Sequence, residues 1–351
     1  MNIGVLRERG AFDRRVAITP AVVRRVTALG HAVWVEHGAG EGAMFADDDY
    51  LRAGAQIAYS PAEVIQRADL LPKIGRPTIE ELGFCRPHTA VMAFYHMAVA
   101  DRAVRDALVE GCLTAIGCET IQQDDGTLPV LAAISEIAGQ MTIPVAAHLM
   151  RSSSGGRGIL MGGSPGVPPA RVVVIGAGAV GFAAVRSGAA AGARVVALDC
   201  DPRKLRHVTE HVPGVETGLA DEDAIGEAVA AADVVIGAVL VAGTRTPHVV
   251  TREMVDAMKP GSAVIDVSID QGGCVETSRP TTLAEPTFAY RGVTHFCVPT
   301  FTADLGRSSS VAIAQAMLPY LLSMARDGVD AALEKCPELA RGVYLLHGRR
   351  V

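Results

Sequence analysis

The chain has no excess of basic residues. Its 32 Lys and Arg residues are outnumbered by 38 Asp and Glu residues, which gives a formal net charge of −6 at pH 7. Proteins that bind nucleic acid or an anionic membrane surface need clustered cations to neutralise phosphates, and no basic cluster is visible here. We therefore expect neither nucleic acid nor a membrane among its partners.

The sequence also lacks the marks of export and of metal binding. None of its seven cysteines forms a Cys-x-x-Cys pair, and an odd, scattered set fits reduced thiols better than a disulfide framework. No zinc-ligand spacing occurs, so we expect no metal. The N-terminus runs from a short apolar strand directly into charged residues, unlike a signal or transit peptide, and no uninterrupted apolar span approaches membrane length. These absences predict a cytoplasmic protein.

A glycine-rich turn is the most informative feature that is present. It follows the apolar run Val172–Ile175 and opens an alanine-rich stretch, and Asp199 ends the next apolar run. The three glycines of such a turn allow a tight bend, a close approach of the backbone to a pyrophosphate, and close helix packing. Asp199 would accept hydrogen bonds from ribose hydroxyls and repel a 2′-phosphate, so the predicted cofactor is NAD. We assign cofactor binding to Gly176, Gly178, Ala179, Val180, Gly181 and Asp199.

The length of 351 residues suggests about two domains. Short apolar runs alternate with segments of helical periodicity, which predicts parallel sheets with crossover helices. The fold class is therefore α/β, with two Rossmann-like, doubly wound parallel-sheet domains and ligands in an interdomain cleft. The expected strands of the first domain are Ile3 to Leu6, Ala32 to Glu36, Asp69 to Ile74, Thr89 to His96 and Leu113 to Glu119.

Helix signals set the expected domain boundaries. Thr19-Pro20 and Ser60-Pro61 are typical helix starts, because a hydroxyl residue precedes proline at the first helical position. A long apolar helix from Ser135 to Met150, kinked at Pro144, is interpreted as a bridge between domains, and Val311 to Met324 as a helix that returns to the first domain. We expect a discontinuous substrate domain, residues 1–130 plus 302–351, and an NAD-binding domain, residues 131–301.

Five residues are candidates for chemistry, each with a competing structural interpretation. Arg15 could hold a carboxylate with its guanidinium fork, although spacing alone favours a solvated surface arginine. His96 ends an apolar run where an imidazole suits proton transfer, and it could equally be a structural histidine. Asp270 follows a buried strand and is as well explained as a turn cap. Lys73 and Arg76 follow another strand and could face either the cleft or water.

Together these residues show that the chain resembles the alanine dehydrogenase and pyridine-nucleotide transhydrogenase family over nearly its whole length. The resemblance is carried by Arg15–Pro20, Gly38–Gly42, Ser135–Gly139, Gly155–Gly163, Val234–Leu240 and Asp270–Pro280. It implies a two-domain homohexamer that interconverts L-alanine with pyruvate and ammonia using NAD. It further implies that Arg15 binds the substrate carboxylate, His96 is the acid/base and Asp270 assists at the reacting centre. Positions contacting the cofactor would be Ser135, Asp199, Val239, Leu240, Asp270 and Thr300.

Two departures from the family pattern fall where the family does its chemistry. The family lysine of a Lys-x-Lys-Glu-Pro segment is replaced by Gly75 in Lys73-Ile-Gly-Arg-Pro77, which removes a donor from the reacting carbonyl or imine. The family segment Asn-Met-Pro is replaced by Thr300-Phe301-Thr302. Arg76 or Lys73 could substitute for the missing lysine, although arginine cannot exchange a proton usefully near neutral pH. The pattern suggests a modified substrate pocket.

The sequence therefore predicts an NAD-dependent oxidoreductase that acts on the C–N bond of a small amino or imino acid. Its catalytic residues would be His96, Asp270, Arg15 and Arg76, and its partner a small amino or keto acid. Two alternatives stay open. Gly75 and Phe301 could admit an amine in place of ammonia, giving reductive condensation with a keto acid, or the chain could bind NAD without dehydrogenase turnover.

Overall fold

The computed structural model describes residues 1–241 and 244–351. By their internal contacts these residues form two compact units, one of residues 1–134 and 302–351 and one of residues 135–301. The sequence placed the first boundary at residue 130, and the observed division lies four residues further along, within a continuous helix.

The first unit begins with alternating strands and helices. In chain order its elements are β1 (Asn2–Val5), α1 (Pro20–Thr27), β2 (Ala32–Glu36), α2 (Asp47–Arg52), β3 (Gln56–Ala58), α3 (Pro61–Arg67), β4 (Leu70–Pro72), α4 (Ile79–Gly83), β5 (Ala90–Ala93), α5 (Arg102–Glu110), β6 (Thr114–Gly117) and the start of α6 (Pro129–Leu149). A single 3₁₀ turn, Glu41–Ala43, lies between β2 and α2.

The second unit contains the rest of α6 and a further αβ series. Its elements are β7 (Arg171–Ile175), α7 (Ala179–Ala190), β8 (Arg194–Asp199), α8 (Pro202–His211), β9 (Glu216–Leu219), α9 (Glu222–Ala231), β10 (Val234–Gly237), α10 (Arg252–Asp256), β11 (Ala263–Asp266), β12 (Thr287–Tyr290) and β13 (Val293–Phe296). The 3₁₀ turns Ser152–Ser154 and Val267–Gln271 precede β7 and follow β11.

The chain then completes the first unit. After the 3₁₀ turn Phe301–Leu305 come α11 (Gly306–Asp327), α12 (Val329–Lys335), α13 (Pro337–Ala340), β14 (Val343–Leu346) and β15 (Arg349–Arg350). The first sheet has the order β15-β14-β6-β5-β4-β1-β2-β3. Its strands β1 to β6 are parallel, β14 is antiparallel to β6, and β15 is antiparallel to β14. The second has the order β12-β13-β11-β10-β7-β8-β9, with only β12 antiparallel.

In each sheet the chain first adds strands on one side of the first strand and then adds strands on its other side. In the first unit the order reverses between β1 and β4, and in the second between β7 and β10. Loops after adjacent strands at such a reversal diverge to opposite faces, which leaves a crevice at the carboxyl ends of the strands. The topology therefore directs attention to the loops after β1, β4, β7 and β10.

Each sheet is covered on both faces. Along β7, Val172 and Val174 belong to one hydrophobic cluster, whereas Val173 and Ile175 belong to another. Successive strand residues point to opposite faces, so both faces of the sheet are buried. This double burial explains why the strands read as continuous apolar runs rather than alternating ones, and it confirms the predicted doubly wound α/β class.

The helix α6 corrects one expectation. It is long and apolar enough to cross a membrane by length and composition alone, although the sequence was interpreted as having no such segment. Ser135, Gln140 and Thr142 interrupt the apolar run, but the surrounding Ala, Ile, Val and Leu residues keep the mean hydropathy high. Core helices of soluble proteins often pass the same test, and α6 supplies Val130 to one core and Ala146 to another.

The expected elements were found with shifted ends, and the short strands were missed. The helix predicted from Ser135 begins at Pro129, and the one predicted over 311–324 extends over Gly306–Asp327. The sequence interpretation did not include β3, β9, β12, β13, β14 or β15. These strands are short, and β9 and β15 are mostly exposed, so they lack the apolar runs on which the prediction relied.

A close helix contact offers a test of the second core. A Cβ atom added to Gly139 of α6 would lie 2.2 Å from the carbonyl oxygen of Val180 in α7. Gly139→Ala should lower the free energy of unfolding by about 1–3 kcal/mol, because this backbone contact leaves no room for a methyl group. Denaturant unfolding would measure the change.

Gly226→Ala is the matched control, because Gly226 lies inside α9 and its nearest neighbour would be 3.8 Å from an added Cβ. The better helix propensity of alanine should stabilise that variant by about 0.5–1 kcal/mol. Equal effects of the two substitutions would contradict the packing argument.

Candidate functional site

The loop after β7 has the geometry of a dinucleotide-binding turn. Gly176 has a φ of 96°, and a Cβ there would lie 2.4 Å from the carbonyl oxygen of Ala238, which follows β10. A Cβ on Gly181 would lie 1.7 Å from the Gly176 oxygen. At Gly178, by contrast, no atom of the described residues lies within 4 Å of an added Cβ. The turn is packed tightly from within and is open at the glycine that precedes α7.

Asp199 connects the end of β8 to this turn. One carboxylate oxygen, Oδ2, accepts a hydrogen bond of 2.7 Å from the Ala177 N–H and lies 3.4 Å from Lys204 Nζ. The other, Oδ1, accepts one of 2.8 Å from the Asp201 N–H. The side chain is buried, and these bonds hold its charge beside the turn.

Two further segments border the same turn. Ser135 lies one helical turn before Gly139, so it shares the face of α6 that contacts Val180 at the start of α7. After β10, the Val239 carbonyl oxygen accepts a 2.8 Å hydrogen bond from Ser268 Oγ, while Leu240 is exposed. The segments of Asp199, Ser135 and Val239 therefore lie beside the glycine turn, at the reversal of the sheet.

Asp270 lies in the 3₁₀ turn that follows β11. Its Oδ1 accepts a 2.9 Å hydrogen bond from the backbone N–H of Thr300, thirty residues further along the chain. Thr300 has a φ of 50°, in the left-handed region that a β-branched residue seldom adopts. The Asp270 carboxylate therefore bonds to the segment in which this chain departs from the family pattern, and its role is not confined to a local turn.

In the first unit, Arg15 is buried, so the interpretation as a solvated surface residue is wrong. Its Nε and Nη2 donate to the two carboxylate oxygens of Asp13, at 2.8 and 2.6 Å, and its Nη1 donates to Thr302 Oγ1 at 3.3 Å. The following backbone N–H, of Val16, donates to Ser310 Oγ in α11 at 2.8 Å. The guanidinium is thus held rigidly from two sides, with N–H groups on Nη1 and Nη2 to spare.

Lys73 is buried in an ion pair with two carboxylates. Its Nζ lies 3.1 Å from Glu81 Oε1 and 3.5 Å from Glu8 Oε2, and its side chain is 2% exposed. Glu8 also accepts backbone hydrogen bonds from Ile74, at 2.7 Å, and Gly75, at 3.0 Å. Burial raises the pKa of Glu8, and the charge of Lys73 opposes the shift. Lys73 is therefore a structural ion-pair partner and does not replace the missing lysine.

Arg76 and His96 come together at the carboxyl ends of β4 and β5. The Arg76 Nε–H donates a 2.8 Å hydrogen bond to the carbonyl oxygen of Tyr95, one peptide bond before His96. Burial lowers the pKa of Arg76, and the charges of Glu119 and Asp101 oppose that shift. Arg76 is half-buried, which excludes neither of the orientations left open by the sequence.

His96 combines a left-handed backbone with an unsatisfied ring nitrogen. Its φ is 48°, and its N–H donates a 2.6 Å hydrogen bond to Glu119 Oε1. Its Nδ1 is buried without a hydrogen-bond partner among the described residues. A buried polar atom that lacks a partner is unfavourable in a merely structural histidine, and it is expected of a residue whose partner is a ligand.

Sequence reasoning missed two carboxylates that organise this edge. Glu8 holds the loop after β4, and Glu119 accepts hydrogen bonds from the N–H groups of Tyr95 and His96 and from the hydroxyl of Tyr344. Both residues are buried and each follows a strand of the same sheet. An acidic residue just beyond an apolar strand was the available signal, and it was used only for Asp199 and Asp270.

The residues of the second unit fit a dinucleotide. The open face of Gly178 allows a pyrophosphate to approach the N-terminus of the twelve-residue helix α7, and the buried Asp199 lies beside the turn, where a ribose follows. No cluster of three or more His, Cys, Asp or Glu side chains able to hold a metal ion is found in residues 1–241 and 244–351.

Comparisons with known proteins agree over the whole chain. The models "Alanine dehydrogenase/PNT, N-terminal domain" and "Alanine dehydrogenase/PNT, C-terminal domain" match residues 4–138 and 142–351. An alanine dehydrogenase of Mycobacterium tuberculosis is 43% identical over 349 residues, which cover 99% of this chain and 94% of that protein.

Two solved structures have the same fold. An L-alanine dehydrogenase superimposes with a TM-score of 0.94 at 37% identity, covering 100% of this chain and 97% of that one. A transhydrogenase from Sinorhizobium meliloti superimposes with a TM-score of 0.84 at 26% identity, covering 100% and 99%. The matches span both units, and the chain belongs to the alanine dehydrogenase/PNT family.

Proposed function

We propose that this protein is an NAD-dependent amino-acid dehydrogenase, similar to alanine dehydrogenase, with an altered substrate pocket. It interconverts a small amino acid with the corresponding 2-keto acid and ammonia, at the expense of NAD⁺ or NADH. The observation that carries the proposal is the tightly packed turn around Gly176, open at Gly178 and flanked by Asp199, together with the family membership of the whole chain.

In the reductive direction, ammonia adds to the keto carbon and water leaves, which gives an imine. The imine nitrogen takes up one proton, and a hydride then adds to the α-carbon, so that the C=N double bond becomes the C–N single bond of the amine. NADH supplies that hydride when it is bound. The second unit supplies the cofactor groups: Ser135, Gly176, Gly178, Ala179, Val180, Gly181, Asp199, Val239, Leu240, Asp270 and Thr300.

The first unit supplies the groups that handle the substrate. We assign Arg15 to the α-carboxylate, because its guanidinium is preorganised by Asp13 and Thr302 and retains further N–H donors. We assign His96 to proton transfer, because its Nδ1 is buried without a protein partner among the described residues. Asp270 stabilises the cationic imine, and Arg76 takes part in substrate binding.

We further propose that the protein acts in the cytoplasm as a homo-oligomer, a hexamer as the family resemblance implies. All seven cysteines are free thiols, which suits a reducing compartment. Light scattering of the purified protein would give the number of subunits directly.

Replacing Asp199 should weaken the discrimination against a 2′-phosphate. In Asp199→Ser, the ribose loses a charged acceptor, so we expect the KM for NADH to rise about 10- to 100-fold and the preference over NADPH to narrow by a similar factor. Steady-state kinetics with both cofactors would measure this. The control is Asp201→Asn, a nearby carboxylate that caps α8 through the Arg203 N–H; an equal loss of preference there would contradict the assignment.

Replacing His96 should abolish turnover without abolishing cofactor binding. His96→Asn removes the proton-transfer group but tolerates the left-handed backbone, so kcat should fall at least about 100-fold. Turnover would be followed by NADH absorbance, and NADH binding by fluorescence.

The control for His96→Asn is His88→Asn. His88 precedes the same strand β5, is exposed and also has a positive φ, of 68°. Its variant should keep full activity. Comparable losses of turnover and of NADH binding in His96→Asn would contradict the catalytic assignment.

Turnover of a keto acid that requires a primary amine in place of ammonia would favour the alternative reaction, reductive condensation.

A further inference from the structure

We infer that Arg76 makes this enzyme specific for substrates with a second, side-chain carboxylate, that is, for dicarboxylic amino and keto acids. The inference rests on the proposed function and narrows its substrate class. It is drawn from the carboxyl-terminal edge of the first sheet, where β1, β4 and β5 lie side by side.

The residue before Arg76 is uncharged. Gly75 brings no side chain, and the nearest atom to a Cβ built there is Glu8 Oε2, at 3.0 Å. Lys73 is committed to Glu8 and Glu81 and is almost completely buried. Arg76 is therefore the cation of this loop that is left to meet a ligand.

The guanidinium of Arg76 is oriented by one hydrogen bond to the backbone. Its Nε–H is bound to the Tyr95 carbonyl oxygen, which directs the group towards the peptide that precedes His96. That bond uses one of the five N–H donors of the side chain, and Nη1 and Nη2 form no hydrogen bond or ion pair with the described residues. Two parallel N–H donors in this fixed orientation match the two oxygens of a carboxylate.

The charged groups at this edge favour a substrate with two carboxylates. Arg15 is already present at this edge for an α-carboxylate, and its charge, like that of Lys73, acts on Glu8. The charges of Glu119 and Asp101 oppose the lowering of the Arg76 pKa by burial, but neither carboxylate forms a hydrogen bond or an ion pair with Nη1 or Nη2 in the described part of the chain. A substrate with a methyl side chain offers these donors no acceptor, whereas a distal carboxylate does. Apart from Glu8 Oε2 and the adjacent residues of the loop, no atom of the described residues lies within 4 Å of a Cβ built at Gly75, which leaves room beside Arg76 for a longer substrate.

The resulting reaction has the same balance as before. A 2-keto dicarboxylate, ammonia, NADH and a proton yield the amino dicarboxylate, NAD⁺ and water. Arg15 binds the carboxylate attached to the reacting carbon, and Arg76 binds the distal one. Arg76 forms no covalent bond and transfers no proton.

The test compares oxaloacetate and 2-oxoglutarate with pyruvate, each with ammonium and NADH. For the wild-type protein, kcat/KM should be at least tenfold higher with one of the dicarboxylates. Arg76→Met should lower kcat/KM for that substrate about 10- to 100-fold, mainly through KM, and should lower the value for pyruvate by a clearly smaller factor. Arg76→Lys, which keeps the charge but loses the fork, should fall between wild type and Arg76→Met.

Arg86→Met is the matched control. Arg86 is an exposed arginine whose Nη2 pairs with Asp69, just before the amino end of β4, whereas Arg76 follows its carboxyl end. This variant should keep the wild-type preference. Should Arg76→Met lower kcat/KM equally for pyruvate and for the dicarboxylates, Arg76 would act on the shared α-carboxylate or on folding, and the inference would be overturned. A wild-type preference for pyruvate would overturn it as well.

Titration calorimetry separates this inference from the proposed function. Oxaloacetate, 2-oxoglutarate and pyruvate would each be titrated into the protein in the presence of NAD⁺. Arg76-dependent, tighter binding of one dicarboxylate without turnover of any keto acid would refute the dehydrogenase and keep the specificity. Turnover of pyruvate with no Arg76-dependent binding of either dicarboxylate would keep the dehydrogenase and refute the specificity.

Discussion

The carboxyl-terminal edge of the first sheet depends on the interactions of one buried carboxylate, that of Glu8. Its two oxygens accept the N–H groups of Ile74 and Gly75, and its charge is balanced by Lys73. These contacts tie the loop after the first strand to the loop after the fourth, at the point where the sheet reverses. An arrangement that separated Glu8 from Lys73 would leave a buried charge without its partner, which is strongly destabilising. The ion pair therefore favours a single arrangement of these loops.

In the second unit, the loops at the reversal are joined by backbone contact and by one carboxylate. Its loops after β7 and β10 approach until Gly176 touches the carbonyl of Ala238, and the added carboxylate, Asp199, bonds to the Ala177 N–H from the adjacent strand β8. A bare backbone with free N–H groups suits a phosphate, whereas a cluster of buried charges suits a small polar acid. One strand order thus supports two kinds of binding edge, and the difference lies in a few residues beyond the strands.

The contacts around Gly75 and around residues 300–302 show what the two departures from the family pattern change in the structure. Loss of the lysine at Gly75 does not free Lys73, because Glu8 and Glu81 keep it in the interior. The change instead leaves Arg76, anchored on the carbonyl oxygen of Tyr95, as the cation of this loop that is not held in a buried ion pair. At the other altered segment, Asp270 bonds to the left-handed Thr300, and Thr302 bonds to Arg15, so the replacements remain joined to the candidate residues within each unit.

The sequence by itself determined the α/β class, the main buried strands, the glycine turn and Asp199, because each depends on local periodicity or on a short motif. It could not determine the exposed strands β9 and β15, whose pairing is decided by distant partners. It also could not determine that Arg15 is buried against Asp13 and Thr302, that Lys73 is a structural ion-pair partner, or that Glu8 and Glu119 organise the edge. Those facts depend on contacts between residues far apart in the chain, and only the tertiary structure decides which charges are buried together.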